Sequence, residues 1–479
     1  MKNETLIQYF EWYLPEDLGH WKRCMEQAGQ LKEAGITMAW LPPAYKGSSG
    51  RADVGYGVYD LYDLGEFDQK GTIPTKYGTK NEYIQAIKKL QKEGIAVIAD
   101  VVLNHKMGAD ESEQVKALME AWDNRNQTIG GEEEIEAWTR FTFPGRKGAY
   151  SKFQWDQTCF DGVDWDEKRK QKGVFLFAGK EWDGEVDGEY SNYDYLMGAD
   201  VDMSNPKVLE ELKAWGKWYL DVTKADGFRL DAVKHIRFSF FNEWLREMRA
   251  YGKENFLAVG EYWSPDIGRL KHYLDKAERC MKLFDVPLHF NFQKASCGNG
   301  NFDMGAIFNG TLVNEESELA VTFVDNHDTQ PGQALQSWVM DWFKPLAYGL
   351  ILLQEKGLPC VFYGDYYGIP HDNIQPVKGL DKLLLLRKSY AYGREHRYFD
   401  HHDIVGLTRE GTPEMEKSGL ALLVTDGPGG VKVMYVGEEK QGKTFYDYMG
   451  NRTEKVVIGK DGKGEFFVEG GSISVWVEE

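Results

Sequence analysis

Eight strand-length apolar runs, most of them separated by amphipathic stretches, organise this chain up to about Arg394. They are "TLIQYFEWY", "ITMAWLP", "IAVIADVVLNH", "GFRLDAV", "FLAVGEYW", "MKLFDVPL", "LAVTFVDNHD" and "LPCVFYGD". Helical patterns such as "NEYIQAIKKLQKEG" and "KVLEELKAWGKWYLDVTKADG" lie between them. The second carries Leu209, Leu212, Trp215 and Trp218 at spacings of three, just after an Asn-Pro start. Strand and helix in this alternation predict an α/β fold, a (β/α)8 TIM barrel, with a doubly wound open sheet as the alternative.

Two segments break the rhythm. Asn104 to about Asn205 is rich in Asp, Gly and Trp and is far longer than a βα loop. It reads as a domain inserted after the third strand, on the barrel's C-terminal face. From about His396 the pattern becomes short alternating runs between Gly turns, "VKVMYVG", "KTFYDYMG", "EKVVIG", "GEFFVEGG" and "SISVWV". That predicts a C-terminal all-β sandwich domain. The expected division is therefore 1–103 with 206–395 for the barrel, 104–205 for the insertion and 396–479 for the sandwich.

Bulk properties exclude some partners. A net charge of −19 over 479 residues shows no basic stripe for nucleic acid and disfavours an anionic membrane surface. The apolar runs are too short to span a bilayer. The start "MKNETLIQYFEWYLPED" lacks the apolar core of a signal peptide. The five cysteines, Cys24, Cys159, Cys280, Cys297 and Cys360, are odd in number and without a CxxC pair, as expected of reduced thiols. A cytoplasmic monomer is the expectation.

In a barrel of this type the C-terminal strand ends converge on one mouth. Those ends are polar here: Asp100, Asn104 and His105 on the third, then Arg229, Asp231, Lys234 and His235 on the fourth. Glu261 closes the fifth, and Asn326, His327 and Asp328 the seventh. Within "DGFRLDAVKHI", Phe228, Leu230 and Ala232 alternate with Arg229, Asp231, Val233 and His235, so a charged row faces the mouth. Charges buried there need partners or work.

Three carboxylates around one mouth suit glycoside hydrolysis, which needs a proton donor and a group that meets an oxocarbenium-like centre. Arg229 lies two residues before Asp231, roughly 6–7 Å along the strand, and favours its ionised form as a nucleophile. Glu261, beside Val259, Tyr262 and Trp263, sits where a protonated acid is favoured. Asp328 is the third carboxylate, placed to stabilise positive charge. A serine hydrolase finds no G-x-S-x-G. A zinc hydrolase is a fairer rival, though no H-x-H or H-E-x-x-H occurs.

"DVVLNH" (100–105), "GFRLDAVKH" (227–235), "GEYW" (260–263) and "FVDNHD" (323–328) resemble the four signature regions of the family 13 glycoside hydrolases. "ADVDM" (199–203) resembles the fifth. Flanking text such as "WLPPAYKG", "WFKPLAYGLILL" and "HHDIVGLTREG" resembles the bacterial liquefying α-amylases and their cytoplasmic relatives, essentially end to end. The resemblance implies retaining, endo-acting hydrolysis of α-1,4-glucans, with Asp231 as nucleophile, Glu261 as acid/base and Asp328 as stabiliser. It implies sugar contacts from Arg229, His105, His327, Tyr56, Trp12, Lys234, His235 and Trp263. A glucan-binding member that does not cleave, and a maltogenic amylase or glucanotransferase, are the competing readings.

Calcium is the metal the resemblance implies, with sodium as a further ion. By motif position Asn104, Asp194, Asp200 and the carbonyl of His235 form one site between barrel and insertion. Asp161, Asp183 and Asp202 extend it toward further ions, although Ser204 stands where the liquefying group tends to have another acid. A more distant site between barrel and β domain would use Gly300, Phe302, His402, Asp403 and Asp426.

Overall fold

The computed structural model describes residues 3–253 and 255–479. Its centre is a closed barrel of eight parallel strands: β1 (Leu6–Gln8), β2 (Met38–Leu41), β3 (Ala96–Val101), β4 (Gly227–Leu230), β5 (Leu257–Gly260), β6 (Lys282–Phe284), β7 (Ala320–Phe323) and β8 (Leu358–Phe362). Each pairs with its neighbour in chain order and β8 closes on β1. The strands read as short apolar runs because both faces are covered, by the barrel interior and by helices.

The outer ring is α1 (His20–Ala34), α2 (Lys80–Lys92), α3 (Pro206–Thr223), α4 (Phe238–Tyr251), α5 (Ile267–Lys276), α6 (Val286–Cys297), α7 (Lys344–Leu353) and α8 (Leu380–Ser389). In α2, Thr79 and Glu82 form a capping box, and Tyr83, Ala86, Ile87 and Leu90 face inward at helical spacing. In α3 the buried stripe is Val208, Leu212, Trp215 and Tyr219, while Leu209 and Trp218 are only half-buried. The spacing of three read from sequence walks around the helix; the 3.6-residue turn selects the other set.

The fourth strand is shorter than its alternation predicted. It ends at Leu230; Ala232 takes left-handed angles (φ 50°), and Val233–His235 form a 3-10 turn. Lys234 and His235 therefore do not continue the row begun by Arg229 and Asp231. The turn redirects them toward the insertion.

Between β3 and α3 lies a six-stranded antiparallel sheet, ordered His105–Lys106, Ala199–Val201, Phe160–Asp166, Gln171–Phe177, Glu111–Glu120, Glu133–Arg140. Its first two strands leave and re-enter the barrel next to β3, so the insertion overhangs the mouth.

The C-terminal strands form a six-stranded sheet, in which Ile404–Arg409, Leu420–Thr425 and Ile473–Glu478 are adjacent, and a hairpin, Gly430–Tyr435 with Lys463–Val468. One face of the sheet, with Ile404, Leu423 and Trp476, packs on the hairpin residues Met434, Phe466 and Val468, which makes the sandwich. The other face, with Val405, Leu422, Val424, Val475 and Val477, joins the barrel core. Helix α7 is apolar nearly all round because it is wedged there. A Cβ on Gly349 would stand 2.4 Å from Ile473, so this helix position requires glycine for close approach. Two buried arginines finish the joint: Arg387 donates to the carbonyl of Leu352 (2.6 Å) and Arg409 to that of Leu353 (3.3 Å), answering the negative end of α7.

Candidate active site

Arg229, on β4, is 1% exposed and stands at the centre of the barrel mouth. Its register opposite Asp100 of β3 and Val259 of β5 aims the guanidinium across the strand ends. It bonds Asp100 at 3.0 Å and Asp231 at 2.5 Å, and lies 3.5 Å from Glu261. Despite burial, these carboxylates and Tyr56 hold its pKa well above the ordinary arginine value. Asp100 accepts further hydrogen bonds from Trp40 Nε1 (2.9 Å) and the Tyr56 hydroxyl (2.8 Å). Burial nevertheless raises its pKa to about 6.

Asp231 and Glu261 follow directly on the last residues of β4 and β5, and both are 8% exposed. The left-handed angles of Ala232 let its N–H reach Glu261 Oε2 at 2.8 Å, tying the two strand ends together. Burial pushes Glu261 up to about 8, with the Asp231 and Asp328 charges adding to it against Arg229. Asp328 is raised to about 7, again by burial. It sits on a loop in which Asn326 Oδ1 accepts from the N–H groups of Asp328 and Thr329, both at 2.9 Å. His327 Nε2 lies 3.3 Å from Asp328 Oδ2.

Aromatic rings wall one side. Trp12 and Tyr56 lie nearly parallel at 6.0 Å, and Tyr56 stacks on His327 at 4.9 Å. His105 uses Nε2 to donate to the Tyr56 carbonyl (2.9 Å), so its bonding is to the segment that carries Tyr56. On the opposite side Lys234 bonds Glu189 (2.9 Å) and the Trp263 carbonyl (3.1 Å), and His235 donates Nδ1–H to the Tyr193 carbonyl (2.7 Å). The Trp263 ring itself packs toward His289 and Phe290.

Residues not singled out from sequence complete the site. Gln8 and Trp40 sit inside runs read as plain core strands; a glutamine in such a run was the available signal. Asp187 bonds Tyr262, Arg269 (2.7 Å) and the N–H of Glu189, and so holds the loop that brings Glu189 to Lys234. Trp138 and Trp165 line a cavity of about 390 Å³ with Met107, Gly108 and Ala109, two to four residues beyond His105.

Beside the mouth, Asp161, Asp194 and Asp200 bring carboxylate oxygens within 4.8 Å of one another, all buried. Burial, with repulsion from their acidic neighbours, raises Asp161 to about 8 and Asp194 and Asp200 well above the usual range. Asp200 Oδ2 is buried with no hydrogen-bond partner among the described residues. Asn104 adjoins them, its carbonyl accepting from the Val201 N–H (3.0 Å). Asp183 and Asp202, expected to take further ions, are bonded instead to Arg237 (2.6 Å) and Lys180. Burial opposes ionisation of Asp202, but Lys180 and Ser204 outweigh it and lower its pKa. A set of clustered, under-partnered carboxylates is the donor chemistry of a hard divalent cation. At the barrel–sandwich joint, both carboxylate oxygens of Asp426 are buried without a close hydrogen-bond partner among the described residues, and its carbonyl lies 2.9 Å from a Cβ position on Gly300.

The family model described as alpha amylase, catalytic domain, matches residues 8–399, and that described as alpha-amylase C-terminal matches 429–477. The chain is 58% identical over 478 residues to an alpha-amylase of Geobacillus stearothermophilus, covering 99% of this chain and 87% of the relative. It is 46% identical over 494 residues to the cytoplasmic alpha-amylase of Escherichia coli K12, covering 100% and 99%. The solved alpha-amylase of Geobacillus thermoleovorans, at 18% identity, shares the fold with a TM-score of 0.66 over 100% of this chain and 98% of that one.

Proposed function

The chain belongs to the α-amylase family, retaining hydrolases of α-1,4-glucans, and from that premise we propose how its residues divide the reaction. The observation that carries the assignment is one buried guanidinium, Arg229, bonded to Asp231 and set 3.5 Å from Glu261 at adjoining strand ends. Two carboxyl groups in contrasting surroundings are what a two-step displacement requires.

Asp231, oriented by Arg229, attacks the anomeric carbon of the bound glucan. Glu261 donates its proton to the glycosidic oxygen as the C–O bond breaks. Its Oε2 is engaged by the Ala232 N–H, so the proton resides on Oε1. The result is a glycosyl ester on Asp231 and a free 4-hydroxyl, a new non-reducing end, on the departing chain. Water then adds to the same carbon, giving its proton to Glu261 and releasing Asp231 as carboxylate. Asp328 stabilises the positive charge of both transition states, and His327 positions the sugar beside it. Trp12, Tyr56 and Trp263 offer faces and edges to glucose rings, and Lys234, His235 and His105 shape the walls. The Trp138–Trp165 cavity, on the insertion's sheet beside Lys106 and Ala199, offers aromatic faces to further glucose units of a long chain.

Asp161, Asp194, Asp200, Asn104 and the His235 carbonyl fit calcium, whose charge would neutralise the clustered acids and join the insertion to the barrel. Lys180 and Arg237 pair with Asp202 and Asp183, which leaves Asp161, Asp194 and Asp200 as the carboxylates that would hold calcium, with sodium as a further ion beside them. Asp426, with Asp403 and the backbone near Gly300, Phe302 and His402, would seat a second. The division at 103/104, 205/206 and 395/396, action as a monomer without nucleic acid or membrane, and a cytoplasmic setting complete the reading. The cytoplasmic relative and five free cysteines support the last point. Among the described residues no helix is long and apolar enough to cross a membrane.

The test is proton NMR of a maltoheptaose digest from the first minute. α-Anomeric products of mixed length are expected. β-Anomers would overturn the role of Asp231, and products longer than the substrate would turn the reading toward transfer.

A further inference from the structure

Gln8 is the last residue of β1, and both it and His327 are 1% exposed. The Gln8 side-chain nitrogen lies 3.0 Å from His327 Nδ1. On the far side of the ring, Nε2 lies 3.3 Å from Asp328 Oδ2. Phe10, Trp40, Tyr56 and Trp12 surround the imidazole, and no other polar group among the described residues bonds it. Burial, reinforced by Arg229, holds its pKa well below the ordinary histidine value, so the ring is neutral and carries a single N–H.

Where that hydrogen sits decides what His327 can do. In the state that answers a developing positive charge, Asp328 is a carboxylate and only accepts. The ring nitrogen facing it must then carry the hydrogen, because a bare lone pair there would meet another lone pair. That leaves Nδ1 bare, and of the two ends of the Gln8 amide only the NH2 can satisfy it. Counting partners alone does not choose, since either orientation of the amide leaves one end unbonded. The carboxylate chooses.

We propose that Gln8 is a positioning residue: its amide donates to His327 Nδ1 and fixes the Nε2–H tautomer, so that the ring's one donor faces Asp328 and the bound sugar. The reach of one nitrogen sets the chemistry of the other, as in other buried histidines whose second nitrogen is held by a neighbour. The inference rests on the reading of His327 and Asp328 as parts of the glucan-cleaving site.

The test uses the full chain labelled with ring-15N histidine, the His327 signals being assigned by their loss in His327→Phe. A protonated Nε2 and a bare Nδ1 are expected in the parent protein. Gln8→Glu places an acceptor against Nδ1 and should move the hydrogen there, lowering kcat by ~10–100-fold with a smaller change in KM. Gln8→Met keeps the bulk without the donor and should give mixed tautomers with an intermediate loss. An Nδ1–H tautomer in the parent protein overturns the proposal, and so does a folded Gln8→Glu that keeps both Nε2–H and the parent kcat. Should Gln8→Glu not fold, the parent and Gln8→Met spectra decide. Full activity in His327→Phe would instead overturn the assignment of the site, whatever the tautomer.

Discussion

At the residue scale, the site depends on how one cation is shared among carboxylates. Glu261 must be protonated to act as the acid, and burial raises its pKa to about 8. Its proton is in place below that pH and is lost above it, so kcat/KM should fall as pH rises through about 8. Glu261→Gln should lower kcat/KM by ~10²–10⁴-fold and abolish that alkaline limb. Initial rates across the pH range check both; an unchanged limb in Glu261→Gln would assign the titration to another group. Much of this site is legible in the sequence. The motifs name Asp231, Glu261, Asp328 and Arg229, since charges at strand ends stand out against apolar runs. Gln8, Trp40, Asp187 and Glu189 were not legible, because their partners are distant in sequence and only the closed barrel brings them together. His235 does not continue the row of Arg229 and Asp231, because alternation says nothing of the left-handed turn at Ala232.

Among the elements, α7 is the one whose surroundings most differ from those of a surface helix. Its sequence shows no polar face, and the reason appears only when the C-terminal sheet is laid against it. Gly349→Ala places a methyl group 2.4 Å from Ile473, and a shift of backbone or side chain in packed surroundings costs about 1–3 kcal/mol. Chemical denaturation should register a lower midpoint with near-normal kcat, because Gly349 faces Ile473 and Leu422 of the C-terminal sheet. A midpoint equal to the parent's would mean that the joint yields freely. The eight barrel strands were readable because each is a short apolar run between helices. The insertion's strands were not: Glu111–Glu120 and Glu133–Arg140 are only partly buried and carry charges an isolated sequence assigns to loops. Ile404–Arg409 and Leu420–Thr425 are buried on both faces, so they lack the alternation that marks the other sandwich strands.

For the whole molecule, stability and activity meet at the insertion. With calcium bound among Asp161, Asp194 and Asp200, chelation should lower the melting temperature and the activity together. Elemental analysis should find two calcium ions per chain, Asp200→Asn and Asp426→Asn each losing one. Asp426→Asn, at the joint far from the mouth, should lose thermal stability and keep most of its activity. Loss of no ion from either variant would refute the corresponding seat.

The strand Ile473–Glu478 comes later in the chain than every barrel element, yet it lies in the middle of its sheet, between Leu420–Thr425 and Thr444–Asp447. During synthesis the ribosome therefore releases the entire barrel before the surface that shields α7 can be finished. Until that last ribbon threads between two waiting neighbours, a broad oily flank stands open to the cytosol or to any other newborn chain. A stalled or shortened transcript would not give a slightly weaker enzyme; it would give a sticky one. The shielding of that flank thus waits on the pairing of Ile473–Glu478 with its two neighbours.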